Sequence, residues 1–219
     1  MSKKLIDTIT EENARRRTEE DAKLYVLSDE INLISDISIR SFVRSLLLYA
    51  DNFWVSGASW DVDQNPPDEH GHGGMVIHTK RVVRIAKLLC EANVMEEIDQ
   101  DIIIAAALIH DITKAVGNRD DGFDFDPMYP YTVDAFVKKV TRMDQMFSQE
   151  SGSSVMSVDE DCVHAILRIV RCHLGQWSPI PETYPLTSME MILHMADLIA
   201  TNLHTIIDGE HIDITRWGI

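Results

Sequence analysis

IIIAAALIHDITK, residues 102–114, is an apolar run that turns polar at an adjacent histidine and aspartate. From Ile102 to Ile109 no polar side chain interrupts it, the pattern of a central helix buried on all sides rather than a surface helix with one apolar stripe. The run is far too short to cross a bilayer, so it belongs inside a globular core. Upstream, Ile39, Phe42, Val43, Leu46, Leu47 and Ala50 recur at helical spacing behind Ser35 and Asp36, which can cap a helix. Val82, Ile85, Ala86 and Leu89 mark a further helix over His78–Ala92, and the central helix itself is expected from Met95 or Ile98 to Thr113. Downstream, helices are expected over Tyr131–Phe147, over Glu160–Leu174 with Asp159 as cap and Gly175 as stop, and from Thr187 to Ile207. Loops are expected over 56–74 and 117–130, a turn over 152–157, and an irregular stretch at Pro179, Pro181 and Pro185. Strands do not alternate with helices, and no GxGxxG, GxxxxGK[ST] or GxSxG motif occurs. The expected fold class is all-α, a helical bundle with irregular loops. Gly209–Ile219 either pairs as a short C-terminal hairpin or lies on the surface.

The 219 residues suit one sizeable domain with short decorations: a polar N-terminal arm or outer helix over 1–30, the main domain over 31–207 and an extension over 208–219. Apolar residues make up 45% of the chain, enough for a real core. The 36 acidic residues against 20 basic ones give a net charge of −16, which works against duplex nucleic acid and against an anionic membrane surface. A small anionic substrate stays compatible with that charge, because a bound metal ion inverts the local potential. Cys90, Cys162 and Cys172 lie in apolar helical stretches without zinc-finger spacing, and Met1–Asp21 never becomes continuously apolar. Both features favour a reduced, cytoplasmic protein with buried thiols.

His110–Asp111 stands where the central helix turns polar, and burying such a pair is costly unless both groups are satisfied. Two readings are open for the pair alone: a helix end hydrogen-bonded to neighbours, or half of a metal site. His78, after the double glycine of GHGGMVIHT, and Asp197, inside the apolar stretch EMILHMADLIA, favour the second. His78, His110, Asp111 and Asp197 together would supply two imidazoles and two carboxylates, a donor set for a divalent ion among Mn, Fe, Co, Ni, Mg and Zn. An ion held there acidifies water and polarises a phosphoryl group.

Four motifs in this order, GGMVIHT (Gly73–Thr79), ALIHDITK (Ala107–Lys114), CHLG (Cys172–Gly175) and ILHMAD (Ile192–Asp197), resemble the signature of the HD-domain metal-dependent phosphohydrolase superfamily. In motif flavour the chain is most similar to the HD-domain 3'-5' exoribonucleases of the YhaM type, over residues 53–205. The resemblance implies an HD-domain helical bundle, a catalytic divalent metal and phosphoester hydrolysis. Thr113 replaces the usual glycine of HDIGK, and Cys172 replaces the first histidine of HHG. No histidine occurs between His110 and His164, which favours one metal over two. No OB-like module precedes the domain, and with the acidic charge this favours a small nucleotide over a polymer.

Asp111, Lys114 and His173 are the expected catalytic residues. Lys114, three residues after Asp111, holds a phosphate or pairs with a carboxylate. His173, which matches the second histidine of HHG, contacts phosphate, protonates a leaving oxygen, holds a second metal or caps its helix. His70, His72, Arg81, His194 and Thr201 are candidates for substrate contacts or for groups that orient the ligands from behind. His164 falls on the opposite helix face from His173 and is read as structural or exposed. Trp54, Trp60, Phe123 and Trp177 flank the site, and sequence does not choose among them as a stacking partner for a base. The expected activity is hydrolysis of a phosphoester or phosphoanhydride of a small nucleotide. The alternatives are a 3'-5' exonuclease on short RNA or single-stranded DNA, and a non-catalytic nucleotide-sensing or interaction module. A homodimer through outer helices is compatible with either.

Overall fold

The computed structural model describes residues 22–59, 65–119, 122–126, 128–151 and 158–201, together with two short strands at 206–207 and 210–211. Helices α1 (Ser28–Ile31), α2 (Ile37–Leu48), α3 (Asp51–Val55), α4 (Gly74–Ala92), α5 (Glu97–Ile109), α6 (Tyr129–Ser151), α7 (Glu160–Cys172) and α8 (Ser188–Thr201) build an all-α bundle. Helix α5 is the axis: residues 101–109 are all buried, and α2, α4, α7 and α8 pack around it. Helix α4 lies most extensively against α8. Among the described residues no helix is long and apolar enough to cross a membrane.

Polar groups on the backbone set the entry angles. The Asp36 carboxylate caps α2 by accepting from the amides of Ser38 and Ile39 at 2.8 and 2.9 Å. The amides of Ser35 and Asp36 donate in turn to Asp101 at 2.9 and 2.7 Å, so a buried carboxylate on the central helix locks the start of α2. Asp159 caps α7. Thr187 and Glu190 form a reciprocal capping box at the start of α8, and Arg168 on α7 anchors the same glutamate at 2.8 Å.

Several boundaries differ from the sequence reading. Helix α4 begins at Gly74, four residues before His78, because Gly73 takes a left-handed φ of 77° and Gly74 is pressed against the Glu69 backbone. His78 is therefore in the second turn. Helix α5 stops at Ile109 rather than Thr113, and residues 110–114 close as tight turns with Lys114 N–H donating to Asp111 O at 2.9 Å. The segment expected as a loop over 117–130 contains an antiparallel hairpin, β1 (Ala115–Arg119) with β2 (Gly122–Phe125), and the start of α6. The Asp120-Asp121-Gly122 stretch is the hairpin signal that was passed over. Helix α6 runs to Ser151, and α8 ends at Thr201, since Ile206–Ile207 (β3) pair with Glu210–His211 (β4) in a short hairpin. Leu24, Leu27 and Ile31 are buried, so residues 24–31 pack on the domain as an outer element rather than standing off as a solvated arm. Residues 1–21 and 212–219 lie outside the described residues. Cys90 and Cys172 are buried and Cys162 is half-buried, and all three are free thiols.

A Cβ added at Gly74 would stand 1.9 Å from the Glu69 carbonyl oxygen, whereas one at Gly71 would meet nothing within 4 Å. Gly74→Ala should therefore lower stability by about 3 kcal/mol, a fall of about 10 °C in the thermal midpoint, while Gly71→Ala leaves the midpoint nearly unchanged. Thermal denaturation followed by circular dichroism checks both.

Candidate metal centre

Four helices each bring one part of the centre. His78 comes from α4, His110 and Asp111 follow the last residue of α5, His173 follows the last residue of α7, and Asp197 lies in the third turn of α8. Ligand atoms of His78, His110 and Asp111 lie within 4.8 Å of one another. Asp197 closes the group, with Oδ1 at 3.1 Å from His78 Nε2 and 3.9 Å from His110 Nε2. Asp111 Oδ2 stands 3.6 Å from His110 Nε2 and 4.0 Å from His78 Nε2. The two histidines and Asp111 are buried, while the Asp197 side chain keeps 19% of its surface, so the cluster opens toward solvent past Asp197.

Each histidine is oriented from behind. Nδ1–H of His110 donates to Ala107 O at 2.8 Å, that of His173 to Val170 O at 2.6 Å, and that of His78 to Glu69 Oε2 at 3.1 Å. The Nε2 atoms consequently face the centre, and those of His78 and His110 approach to 3.3 Å. Burial drives His110 toward its neutral form, and the charges of Asp111 and Asp197 return only part of that shift, leaving its pKa at about 4. Burial acts on His78 in the same sense, but its hydrogen bonds to Asp197 and Glu69 outweigh it and raise the pKa to about 9. Burial would also raise the carboxyl of Asp111, yet the positive charges of Lys114, His110 and His173 hold it below the usual carboxylate range. Asp197 is held low against burial by the hydrogen bond from His78 and the charges of the histidines.

A cation fits this arrangement. Oδ1 of Asp111 is buried and accepts no hydrogen bond, an arrangement that costs free energy unless a partner completes it. Two inward imidazole nitrogens and two carboxylates suit a first-row divalent ion, with His78, His110, Asp111 and Asp197 as the residues that would hold it.

The supporting residues divide by position. Lys114 Nζ donates to Asp111 Oδ2 at 2.8 Å and lies over the Tyr129 ring. His173 Nε2 is 3.6 Å from Asp111 Oδ1 and accepts from the Tyr129 hydroxyl at 3.1 Å. His194 Nδ1–H donates to His173 O at 2.7 Å, and its ring fills the space that a Cβ on Gly175 would take. Arg81 is engaged by Asp68 and by Glu69, on the outer side of His78. His70 donates to Asn65 O at 2.7 Å and so ties its own loop, and His72 is exposed. The Thr201 hydroxyl donates to the Asp197 carbonyl rather than to its carboxylate. His164 is exposed, as its helical phase implies.

Sequence reasoning passed over Glu69, Asn65 and Tyr129. Glu69 is fully buried, accepts from Asn65 Nδ2 at 2.7 Å and from His78, and is gripped by Arg81. Its signal was the double glycine, since Gly74 is what lets the Glu69 backbone sit on the start of α4. Tyr129, in PMYPY, carries no signal in sequence. Burial, and then the charges of Asp111 and Asp197, push its phenol pKa well above 10.

Because His78 holds its proton up to about pH 9 while His110 and both carboxylates are already deprotonated near neutrality, ligation expels one proton. Affinity for Mn²⁺ should fall about tenfold per pH unit on acidification below that value, with release of about one proton per ion. Calorimetric titration in buffers of different ionisation enthalpy reads both quantities. Glu69→Gln should weaken the same affinity by about 10- to 100-fold with the helical spectrum intact.

The HD-domain family model matches residues 75–202, a segment that contains His78, His110, Asp111, His173 and Asp197. The dihydroneopterin 2',3'-cyclic phosphate phosphodiesterase of Methanocaldococcus jannaschii is 30% identical over 147 residues, covering 62% of this chain and 51% of that protein. The alignment thus spans about half the length of that relative. No solved structure matches. Over more than half of its length, and with the His–Asp pair at the heart of its ligand cluster, the chain belongs to the HD-domain family.

Proposed function

We propose that the protein is a metal-dependent phosphohydrolase acting on a phosphoester of a small, nucleotide-like molecule. The observation that carries this reading is the convergence of His78, His110, Asp111 and Asp197, together with a second Asp111 oxygen, Oδ1, that is buried without a hydrogen-bond partner. A divalent ion bound by these four, with Mn²⁺ the first to test, acidifies water and polarises a phosphoryl oxygen. Lys114 holds Asp111 in orientation and brings a positive charge to the edge of the site, where charge gathers on the phosphoryl oxygens. His173, whose Nε2 stands 3.6 Å from Asp111 Oδ1 and accepts from the Tyr129 hydroxyl, would take up a proton at the edge of the site and hand it on to the departing oxygen. The opening past Asp197 gives the substrate its way in.

The Methanocaldococcus relative is by name a cyclic phosphate phosphodiesterase, which supports a phosphodiester, and among nucleotides a cyclic one, as the bond cut. The free thiols and acidic charge support a reducing cytoplasmic setting. For a polymer substrate the balance is less favourable. The net charge is −16, and Arg81, Arg84, Arg168 and Arg171 are each engaged by a carboxylate rather than lining a basic groove.

The test is product chromatography on protein loaded separately with Mn²⁺, Co²⁺, Ni²⁺, Mg²⁺ and Zn²⁺. The panel holds nucleoside mono- and triphosphates, cyclic nucleotides and a short single-stranded oligonucleotide. A mononucleotide or cyclic nucleotide should be cut, and chelation should abolish the reaction. Asp111→Ala should lose more than the about 10- to 100-fold that removal of an outer hydrogen-bond partner costs. Stepwise shortening of the oligonucleotide alone transfers the assignment to an exonuclease, and metal binding without any cleavage transfers it to a sensing module.

A further inference from the structure

The aromatic residues that flank the site in sequence are not equivalent in space. Trp54 donates its Nε1–H to Leu47 O at 2.9 Å and stands edge-on to Phe53, so it completes the core. Trp60 and the side chain of Phe123 lie outside the described residues. Trp177 leaves 57% of its surface in water, an unusual position for so large an apolar ring. It ends a single 3-10 turn, Gly175–Trp177, that directly follows His173 and Leu174.

That turn is held firmly. Trp177 N–H donates to Leu174 O at 3.1 Å, and the chain beyond it is fastened by a cluster of hydroxyls. Tyr131 meets Ser178 and Thr183, the latter at 2.9 Å, Ser178 and Thr183 are 2.7 Å apart, and Ile180 N–H donates to Ser178 Oγ at 3.0 Å. Pro179, Pro181 and Pro185 restrict the same segment further. A rigid loop thus holds a tryptophan out to solvent.

One face of the indole has a neighbour of consequence. Its ring lies 5.8 Å from the His194 ring, tilted by 44°. His194 is bonded to the His173 carbonyl, and it precedes Asp197 by three residues on one face of α8. One imidazole, about the size of a pentose, therefore separates the indole from the α8 face that carries Asp197. In a chain this acidic, with nearby arginines engaged by carboxylates, a neutral stacking surface supplies affinity that cationic contacts do not.

We infer that Trp177, backed by His194, is the stacking platform for a planar heterocycle, purine or pterin in type, whose phosphoester lies at the His78–His110–Asp111–Asp197 cluster. The inference rests on the phosphohydrolase reading for the position of the ester, and it adds the part of the substrate that gives selectivity. Exposed Tyr184 and Leu186 in the same segment raise the rival that this patch is a protein contact, and the test includes it.

The full-length Mn²⁺-loaded protein is assayed on adenosine 2',3'-cyclic phosphate and on glycerol 1,2-cyclic phosphate, which lacks a base. The ratio of the two kcat/KM values should fall by about 5- to 100-fold in Trp177→Ala, through KM for the adenosine ester, and Trp177→Phe should keep most of it. In parallel, adenosine 2',3'-cyclic phosphate added to chelator-treated protein should quench indole fluorescence, and Trp177→Ala should lose that quench. An unchanged ratio overturns the inference, as does a wild-type ratio near unity or a Trp177→Ala effect confined to oligomeric state in sedimentation. If the wild type cuts neither ester, the phosphohydrolase reading fails, and the quench alone then decides whether Trp177 stacks a base.

Discussion

Nε2 of His78 and Nε2 of His110 face each other at 3.3 Å among buried groups, with carboxylate oxygens of Asp197 and Asp111 at 3.1 to 4.0 Å. Buried ionisable groups at such spacing each cost several kcal/mol unless their charges and hydrogen bonds are closely matched. Much of the architecture follows from meeting that demand. From Ile102 to Ile109 helix α5 is apolar on every side, so its C-terminal end reaches the middle of the bundle, and the chain turns away at once through residues 110–114. Three imidazoles are braced through Nδ1, two by carbonyls of their own helices and one by Glu69, which leaves their other nitrogens no direction but inward. Helices α4 and α8 pack closely, and across that contact His78 Nε2 meets Asp197 Oδ1 at 3.1 Å.

The excess of acidic charge looks adverse for the phosphoester hydrolysis proposed above, but its distribution softens the conflict. Several of the acids do structural work: buried Asp101 holds the start of α2, buried Glu190 the start of α8, and exposed Asp68 and buried Glu69 hold Arg81. Within the cluster the two carboxylates are balanced by His78 and Lys114, and a divalent ion held there would make the potential met by a phosphate more positive.

How much could be read beforehand varied with the physics behind each feature. Helical periodicity placed the bundle, because apolar faces that must be buried leave a repeating mark, as at Ile39, Phe42, Val43 and Leu46. His78, His110, Asp111 and Asp197 were legible for a related reason: charged or polar residues in apolar surroundings need a cause, and the structure brings all four together. Glu69 was hidden because it lies on an irregular segment whose path is set by close backbone contact at Gly74. Tyr129 was hidden because its meeting with His173 spans 44 residues and leaves no local pattern. Lys114 was placed on the correct side of its turn, but which of phosphate or Asp111 it would hold depended on a distance that spacing does not give. The β1–β2 hairpin was missed because its strands are short and carry few β-branched residues, so apolar alternation is weak there.

Gly175 carries a consequence for how sequences of this kind can drift. Its φ of 54° would ordinarily admit asparagine as a substitute, but any Cβ there would stand 2.3 Å from Cε1 of His194. The ring cannot retreat without giving up its bond to the His173 carbonyl and its contact with Trp177. Positions 175 and 194 are thus bound as an evolutionary pair: glycine persists where the imidazole persists, and a lineage that abandons the histidine is released from the glycine as well. In an alignment the two columns would covary, although 18 residues and a proline-rich loop lie between them.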